Sequence, residues 1–225
     1  MLKITTAKEI RDCEQNSDGW YVLPDGRHIQ LGDDASIGNG AHIGDGARIG
    51  SSARIGNDAR IGDDASIGNY ASIGNDARIG NYASIGNYAR IGNGAIIGDD
   101  ALIGNDARIG NGARIGNDAC IGNFARIGDD ARIGNNARIG NRAIIVPSAK
   151  IEKSPIYIQG CRYWIGYCGE VGHIRSGCEN HPIEWWAENV ERCAEENEYT
   201  EIEQKEYRFH VESVISWMKL YGFDK

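Results

Sequence analysis

From Leu31 to Lys150 the chain repeats one six-residue phrase twenty times without an insertion. Position one is isoleucine in nineteen hexads and Leu31 in the other, and position five is alanine in all twenty. Position two is glycine in nineteen, with Val146 the exception, and position three is asparagine in thirteen and aspartate in five. Positions four and six vary freely. In Asp58-Ala59-Arg60-Ile61, side chains alternating across a strand send Ala59 and Ile61 one way and Asp58 and Arg60 the other. The apolar pair is therefore the expected core. Glycine at position two and asparagine or aspartate at position three predict the corner, because these residues tolerate positive φ. Three strand-and-corner units close a triangular coil of 18 residues, so twenty hexads make nearly seven coils. At about 4.8 Å per strand spacing the prism is on the order of 32 Å tall. A lone coil cannot bury its own isoleucines, so stability must come from stacked neighbours, at roughly 1.5 to 3 kcal/mol per buried isoleucine.

Residues eighteen apart then stack into outward columns. The first face carries Asp34, Ser52, Tyr70, Tyr88, Asp106, Phe124 and Arg142 beside Ser36, Arg54, Ser72, Arg90, Arg108, Arg126 and Ile144. Guanidinium groups interleaved with aromatic rings suit an anionic, base-containing ligand: Arg54, Arg90, Arg108 and Arg126 for phosphate, Tyr70, Tyr88 or Phe124 for stacking. The second face carries His42, Arg60, Arg78, Ile96, Arg114, Arg132 and Lys150 with Asp58, Asp76 and Asp130, a basic ladder expected to be partly neutralised in place. The third face, with Tyr82, Asp100, Leu102, Asp118 and Cys120, is the least charged, and with Ile96 it offers a self-association surface.

Both ends of an open solenoid expose strand edges, so caps are expected. Residues 1–30 read as an N-terminal cap: Thr6 with Glu9 forms a capping box for a helix from Ala7 to about Glu14, followed by a hairpin of Trp20–Leu23 and Arg27–Gln30. The repeat occupies residues 31–156. Residues 157–225 read as a small α+β unit able to cap the other end. Tyr157 to Gln159, Arg162 to Tyr167 and Val171 to Arg175 are the expected strands. Pro182 opens a helix to about Asn197 with Ile183, Trp186, Val190 and Cys193 inward. Thr200 and Glu203 open a second helix to about Leu220 with Tyr207, Val211, Val214, Ile215 and Met218 inward.

Composition narrows the function. The net charge of −8 falls mainly on residues 151–225, with 8 basic and 14 acidic groups, while residues 31–150 balance 12 against 13. That distribution excludes generic nucleic-acid binding. MLKITTAKEIRDCEQN has no apolar stretch of signal-peptide length, and no run of about 18 apolar residues occurs, so a cytoplasmic chain without a membrane partner is expected. Six scattered cysteines suit a reducing compartment. Cys161, Cys168, Cys178 and His181 are chemically acceptable zinc ligands, but the spacing C-x6-C-x9-C-x2-H lacks a paired C-x2-C. No cofactor is therefore assigned, and buried thiols are the preferred reading.

The phrase Ile-Gly-x-x-Ala-x resembles the hexapeptide repeat of the left-handed parallel β-helix superfamily, whose best-known members are trimeric acyltransferases. The resemblance implies an all-β solenoid of left hand, against the usual right-handed crossover rule, and a homotrimer. Such enzymes use a histidine base and loops that interrupt the helix. Here the repeat has no loop, and its one histidine, His42, lies at an outward position. The tail, with Tyr163-Trp164-Ile165-x-Tyr167 and Gly177-Cys178-x-x-His181, is similar to phage-encoded hexapeptide-repeat proteins. The resulting expectation is a non-catalytic phage-type trimer that captures a small anion, such as a nucleotide immune signal, at its subunit seams. The alternatives are a coenzyme-A-dependent acyltransferase using His42 or a tail histidine, and a purely structural scaffold.

Overall fold

In a computed structural model, the structure describes residues 6–152, 154–155, 157–159, 163–177 and 179–224. They form two compact units, Met1–Ser154 and Pro155–Lys225.

The first unit is a left-handed parallel β-helix of about seven turns. Each hexad contributes a two-residue strand made of positions six and one, such as Arg60–Ile61. Strands pair in parallel with the hexad eighteen residues on, Arg60 opposite Arg78 and Ile61 opposite Ile79. The result is two seven-stranded sheets and a third, nine-stranded sheet that the N-terminal strands extend. Every repeat alanine from Ala35 to Ala149 and every repeat isoleucine from Ile37 to Ile151 is buried, as the alternation predicts.

The corner is built differently from the expectation. Positive φ falls on position four, where the non-glycine residues have φ between 55° and 60°. Glycine at position two answers to space instead. A Cβ on Gly56 would lie 2.6 Å from the backbone nitrogen of Asn75 and 2.6 Å from the carbonyl carbon of Gly74 in the next coil. Position three is a hydrogen-bond ladder. The Asn57 N–H donates to Asn75 Oδ1 at 2.8 Å and the Asn75 N–H to Asn93 Oδ1 at 2.9 Å. Aspartate serves equally, because only an acceptor is needed: Asn111 N–H donates to Asp129 Oδ1 at 2.7 Å. Each corner amide thus finds a partner that the strands do not supply.

At the N-terminal end, α1 (Ala7–Arg11) begins with the Thr6–Glu9 capping box. It stops short of Glu14, because Glu14–Gln15 pairs antiparallel with Tyr21–Val22, which pairs in turn with His28–Leu31. Ile10 is buried, and Arg11 Nη2 donates to the carbonyls of Gly32 and Ala35 at 3.1 Å each. Arg27 donates to the Ile43 carbonyl while its ion pair to Asp25, at 2.7 Å, holds that carboxyl below its ordinary range. Two arginines therefore satisfy carbonyls at the open end of the first coil.

The second unit is a four-stranded antiparallel meander, Tyr157–Gln159, Trp164–Tyr167, His173–Ser176 and Glu179–Pro182, followed by α2 (Ile183–Glu196) and α3 (Glu201–Tyr221). The fourth strand replaces the expected helical start at Pro182. Proline fits there because this strand lies at the sheet edge. The helices lock onto the sheet through two buried hydrogen bonds: Trp186 Nε1–H to the Ile174 carbonyl at 2.8 Å, and the Tyr207 hydroxyl to Ser176 Oγ at 3.2 Å. The expected inward stripes are buried except Ile215, which is half-buried.

Candidate functional site

Position four requires left-handed backbone, where bulky L-residues cost about 1–2 kcal/mol, and glycine, aspartate, asparagine or serine fills most of these corners. Tyr70, Tyr88 and Phe124 nevertheless occupy one corner column at φ 59°, 59° and 60°, with more than half of each side chain exposed. Tyr70 and Tyr88 stack at 5.0 Å with planes 2° apart, and Arg142 lies over the Phe124 ring at 5.9 Å. Bulky apolar groups held in a costly conformation and left in water call for an explanation outside the fold itself.

Beside this column, Arg90, Arg108 and Arg126 lie directly opposite one another in ladder register. Like charges so placed repel. Among the described residues none of the three forms an ion pair within 4.0 Å. Tyr70, Tyr88, Arg90, Asp106, Arg108, Phe124 and Arg126 together line a depression of about 240 Å³. Six of the seven residues expected at the ligand site converge there. Arg54 does not line it; Ser72 interrupts the arginine column between Arg54 and Arg90. Asp106 is the member that the sequence reading omits, although its place between Tyr88 and Phe124 in the eighteen-residue column is the signal that finds it.

The second face differs from expectation. Asp58, Asp76 and Asp130 sit on left-handed corners, and among the described residues none reaches ion-pairing distance of Arg60, Arg78 or Arg132. Among the described residues the expected neutralisation in place therefore does not form on this face. On the third face Tyr82 and Leu102 are exposed and Cys120 is half-buried.

His42 is exposed, its Nδ1 3.0 Å from the Gly40 carbonyl, and among the described residues it forms no ion pair within 4.0 Å. The other histidine of the first unit does. His28 Nδ1 lies 3.6 Å from Asp45 Oδ1, which also accepts the His28 backbone N–H at 2.6 Å. That backbone bond, ahead of the imidazole's own contribution, keeps the Asp45 carboxyl below its ordinary range. Asn16, Trp20, Arg48 and Asp64 line the same depression of about 370 Å³, with Arg48 over the Trp20 ring at 5.1 Å. Nothing in the sequence signals this pairing, since it joins the hairpin to the first coil.

Of the four residues considered for zinc, Cys161 and Cys178 lie outside the described residues. Cys168 is buried with Sγ 3.5 Å from Asn180 Oδ1, and burial pushes its thiol up. His181 Nε2 pairs with Glu179 at 2.7 Å, and its ring stacks on Trp185 at 3.7 Å. Among the described residues no group of three or more His, Cys, Asp or Glu side chains could hold a metal ion, and no helix is long and apolar enough to cross a membrane.

Fold and site define a hexapeptide-type β-helix with an arginine-aromatic face. The family model for the bacterial transferase hexapeptide (six repeats) matches residues 28–63, 58–93 and 94–129, so this stretch carries that repeat. Among solved structures the chain is similar to PerB from Caulobacter crescentus, in complex with CoA and GDP-perosamine: 19% identity over 47% of this chain and 54% of that one, TM-score 0.42. It is similar to the UDP-N-acetylglucosamine acyltransferase of Francisella novicida, with 24% identity over 56% and 63% of the two chains and a TM-score of 0.30. A putative acetyltransferase from Bacillus cereus aligns over 82% of this chain and 91% of that one, at 17% identity and TM-score 0.41. The chain spans between half and two thirds of the length of the first two. No curated protein sequence matches it.

Proposed function

We propose that this chain is an acyl-transfer protein of the hexapeptide type that takes a nucleotide-bearing anion on its first face. One observation carries the ligand: three ladder-paired, uncompensated guanidinium groups share a depression with a strained, exposed aromatic column. Guanidinium binds phosphate in bidentate geometry, and stacking a base on an aromatic side chain contributes about 1–3 kcal/mol. The hexapeptide match over residues 28–129 favours acyl transfer, from an acyl-coenzyme A, over capture of a nucleotide immune signal by a phage protein. The nucleotide part would then belong to the donor or to a nucleotide-linked acceptor. Of the two histidines of the first unit, His28, with Asp45 Oδ1 3.6 Å from its Nδ1, is better placed than His42 to accept the acceptor's proton. A homotrimer would bring the face of one subunit against the seam of the next.

A second reading, capture without catalysis, draws on the absence of histidine from the lining of the depression. One set of measurements separates the two. Calorimetric titration with coenzyme A and with nucleoside diphosphates is expected to give binding that Arg108→Ala weakens about tenfold, the scale of one charge-assisted hydrogen bond. Thiol release from acetyl-coenzyme A, with acceptors drawn from nucleotide-linked amino sugars, is expected to fall in His28→Ala and persist in His42→Ala. Binding without thiol release would support capture alone; no binding of any of these ligands by the intact chain would overturn both.

A further inference from the structure

The aromatic column of the first face has a missing rung. Read upward in steps of eighteen, the corner residues are Tyr70, Tyr88, Asp106, Phe124 and Arg142. Tyr70 and Tyr88 occupy successive rungs with rings parallel and 5.0 Å apart. Tyr88 and Phe124 are two coils apart, about 9.6 Å at the strand spacing of a parallel sheet, with only the short Asp106 side chain between them. A planar ring inserted at that level stands about 5 Å from each neighbour, within the 4.5–7 Å range that stacked aromatic pairs adopt. The second corner column contains only glycine, aspartate and serine, and the third a single aromatic, Tyr82. Neither frames such a slot.

The floor of the slot dictates what the ring must offer. Asp106 is exposed and lines the depression. Among the described residues its carboxylate has no hydrogen-bond or ion-pair partner. An ionised carboxylate only accepts hydrogen bonds, and it accepts two side by side. Guanine presents two adjacent donors, N1–H and the 2-amino group. Adenine and cytosine each place a ring acceptor beside their amino group, and uracil flanks its single N–H with two carbonyls, so each would set an acceptor against the carboxylate. Arg90, Arg108 and Arg126 stand on the strands alongside the slot, on the levels of Tyr88, Asp106 and Phe124, where phosphates attached to the inserted base would lie.

We propose that the first face selects a guanine nucleotide, its base filling the rung at Asp106 between Tyr88 and Phe124 and its phosphates held by Arg90, Arg108 and Arg126. The proposal rests on the nucleotide reading of this face given above and adds the identity of the base. The backbone accommodates the variants that test it: Asn136 and Tyr88 hold the same left-handed corner conformation, at φ 60° and 59°, so Asp106→Asn and Asp106→Tyr retain the coil.

Titrating the full-length chain with guanosine, inosine and adenosine diphosphates and with pyrophosphate tests it. Guanosine diphosphate is expected to bind about tenfold more tightly than inosine diphosphate, which lacks the 2-amino donor, and than adenosine diphosphate. Asp106→Asn should erase most of that preference, because it lowers the affinity for guanosine diphosphate more than that for inosine diphosphate. Asp106→Tyr, which fills the rung, should reduce all three nucleotides to the affinity of pyrophosphate. Equal binding of guanosine and adenosine diphosphates, or a guanine preference that survives Asp106→Asn, overturns the choice of base. If such indiscriminate binding still depends on Arg108, the nucleotide reading stands without the guanine assignment. If neither nucleotides nor pyrophosphate bind, both fall together.

Discussion

Asparagine at position three carries a duty that its backbone conformation does not reveal. Asn87 Oδ1 accepts the Asn69 N–H at 2.7 Å while its own N–H donates to Asn105 at 2.8 Å. Truncation to alanine leaves one corner amide without its acceptor, at about 1 kcal/mol; aspartate keeps the acceptor. Urea denaturation should therefore show Asn87→Ala less stable by that amount and Asn87→Asp close to wild type, and equal loss in both would contradict the ladder's role. Gly56→Ala should be worse than either, because its new Cβ meets backbone rather than a movable side chain. Asp58→Gly in the same hexad removes only a residue whose φ of 55° glycine adopts freely, so it should be near neutral.

Among the elements, the helices and sheet of the second unit enclose several weak acids. Burial pushes the Tyr167 hydroxyl up to about 12, with a smaller contribution from Cys168. Burial likewise raises Tyr207, Cys168 and Cys193. These groups bind their protons more tightly in the folded state than in the unfolded chain. Stability is consequently full below the unfolded thiol and phenol values, near 8.5 and 10, and declines as pH climbs through them toward 12. The helical signal at 222 nm, which arises chiefly from α2 and α3, should show a lower urea midpoint at pH 10.5 than at pH 8. A midpoint indifferent to pH would mean that these side chains are solvated. The solenoid coils, by contrast, bury alanine, isoleucine and Leu31, none of which titrates, and contribute nothing to this loss.

At the scale of the whole molecule, exposed apolar side chains stand on the outer faces of the β-helix. Leu102 is 50% exposed and Tyr82 61% exposed, on the face with the fewest charges. Covering that surface with a second and third copy is the proposed reason for them. Sedimentation should give a trimer, and Leu102→Arg should shift it toward monomer with an unchanged circular dichroism spectrum. A monomeric wild-type chain would remove the seam from the functional proposal but leave the depression, which one chain builds unaided.

How far the chain could be read in advance follows from which contacts the repeat dictates. A six-residue period with alternating side chains stacks the position-one isoleucines in columns at eighteen-residue steps, so the core, the coil and the columns of Tyr70, Tyr88, Phe124, Arg90, Arg108 and Arg126 all follow from one-dimensional arithmetic. Glycine is ambiguous in that arithmetic, since it serves equally where φ is positive and where backbones crowd. Only the stacked coils resolve that position two is crowded and position four is left-handed. The pairing of His28 with Asp45, the end-capping by Arg11 and Arg27, and the fourth strand ending at Pro182 were likewise decided by the tertiary structure. Each depends on segments that share no period, whose meeting is decided by how the chain packs rather than by spacing along it.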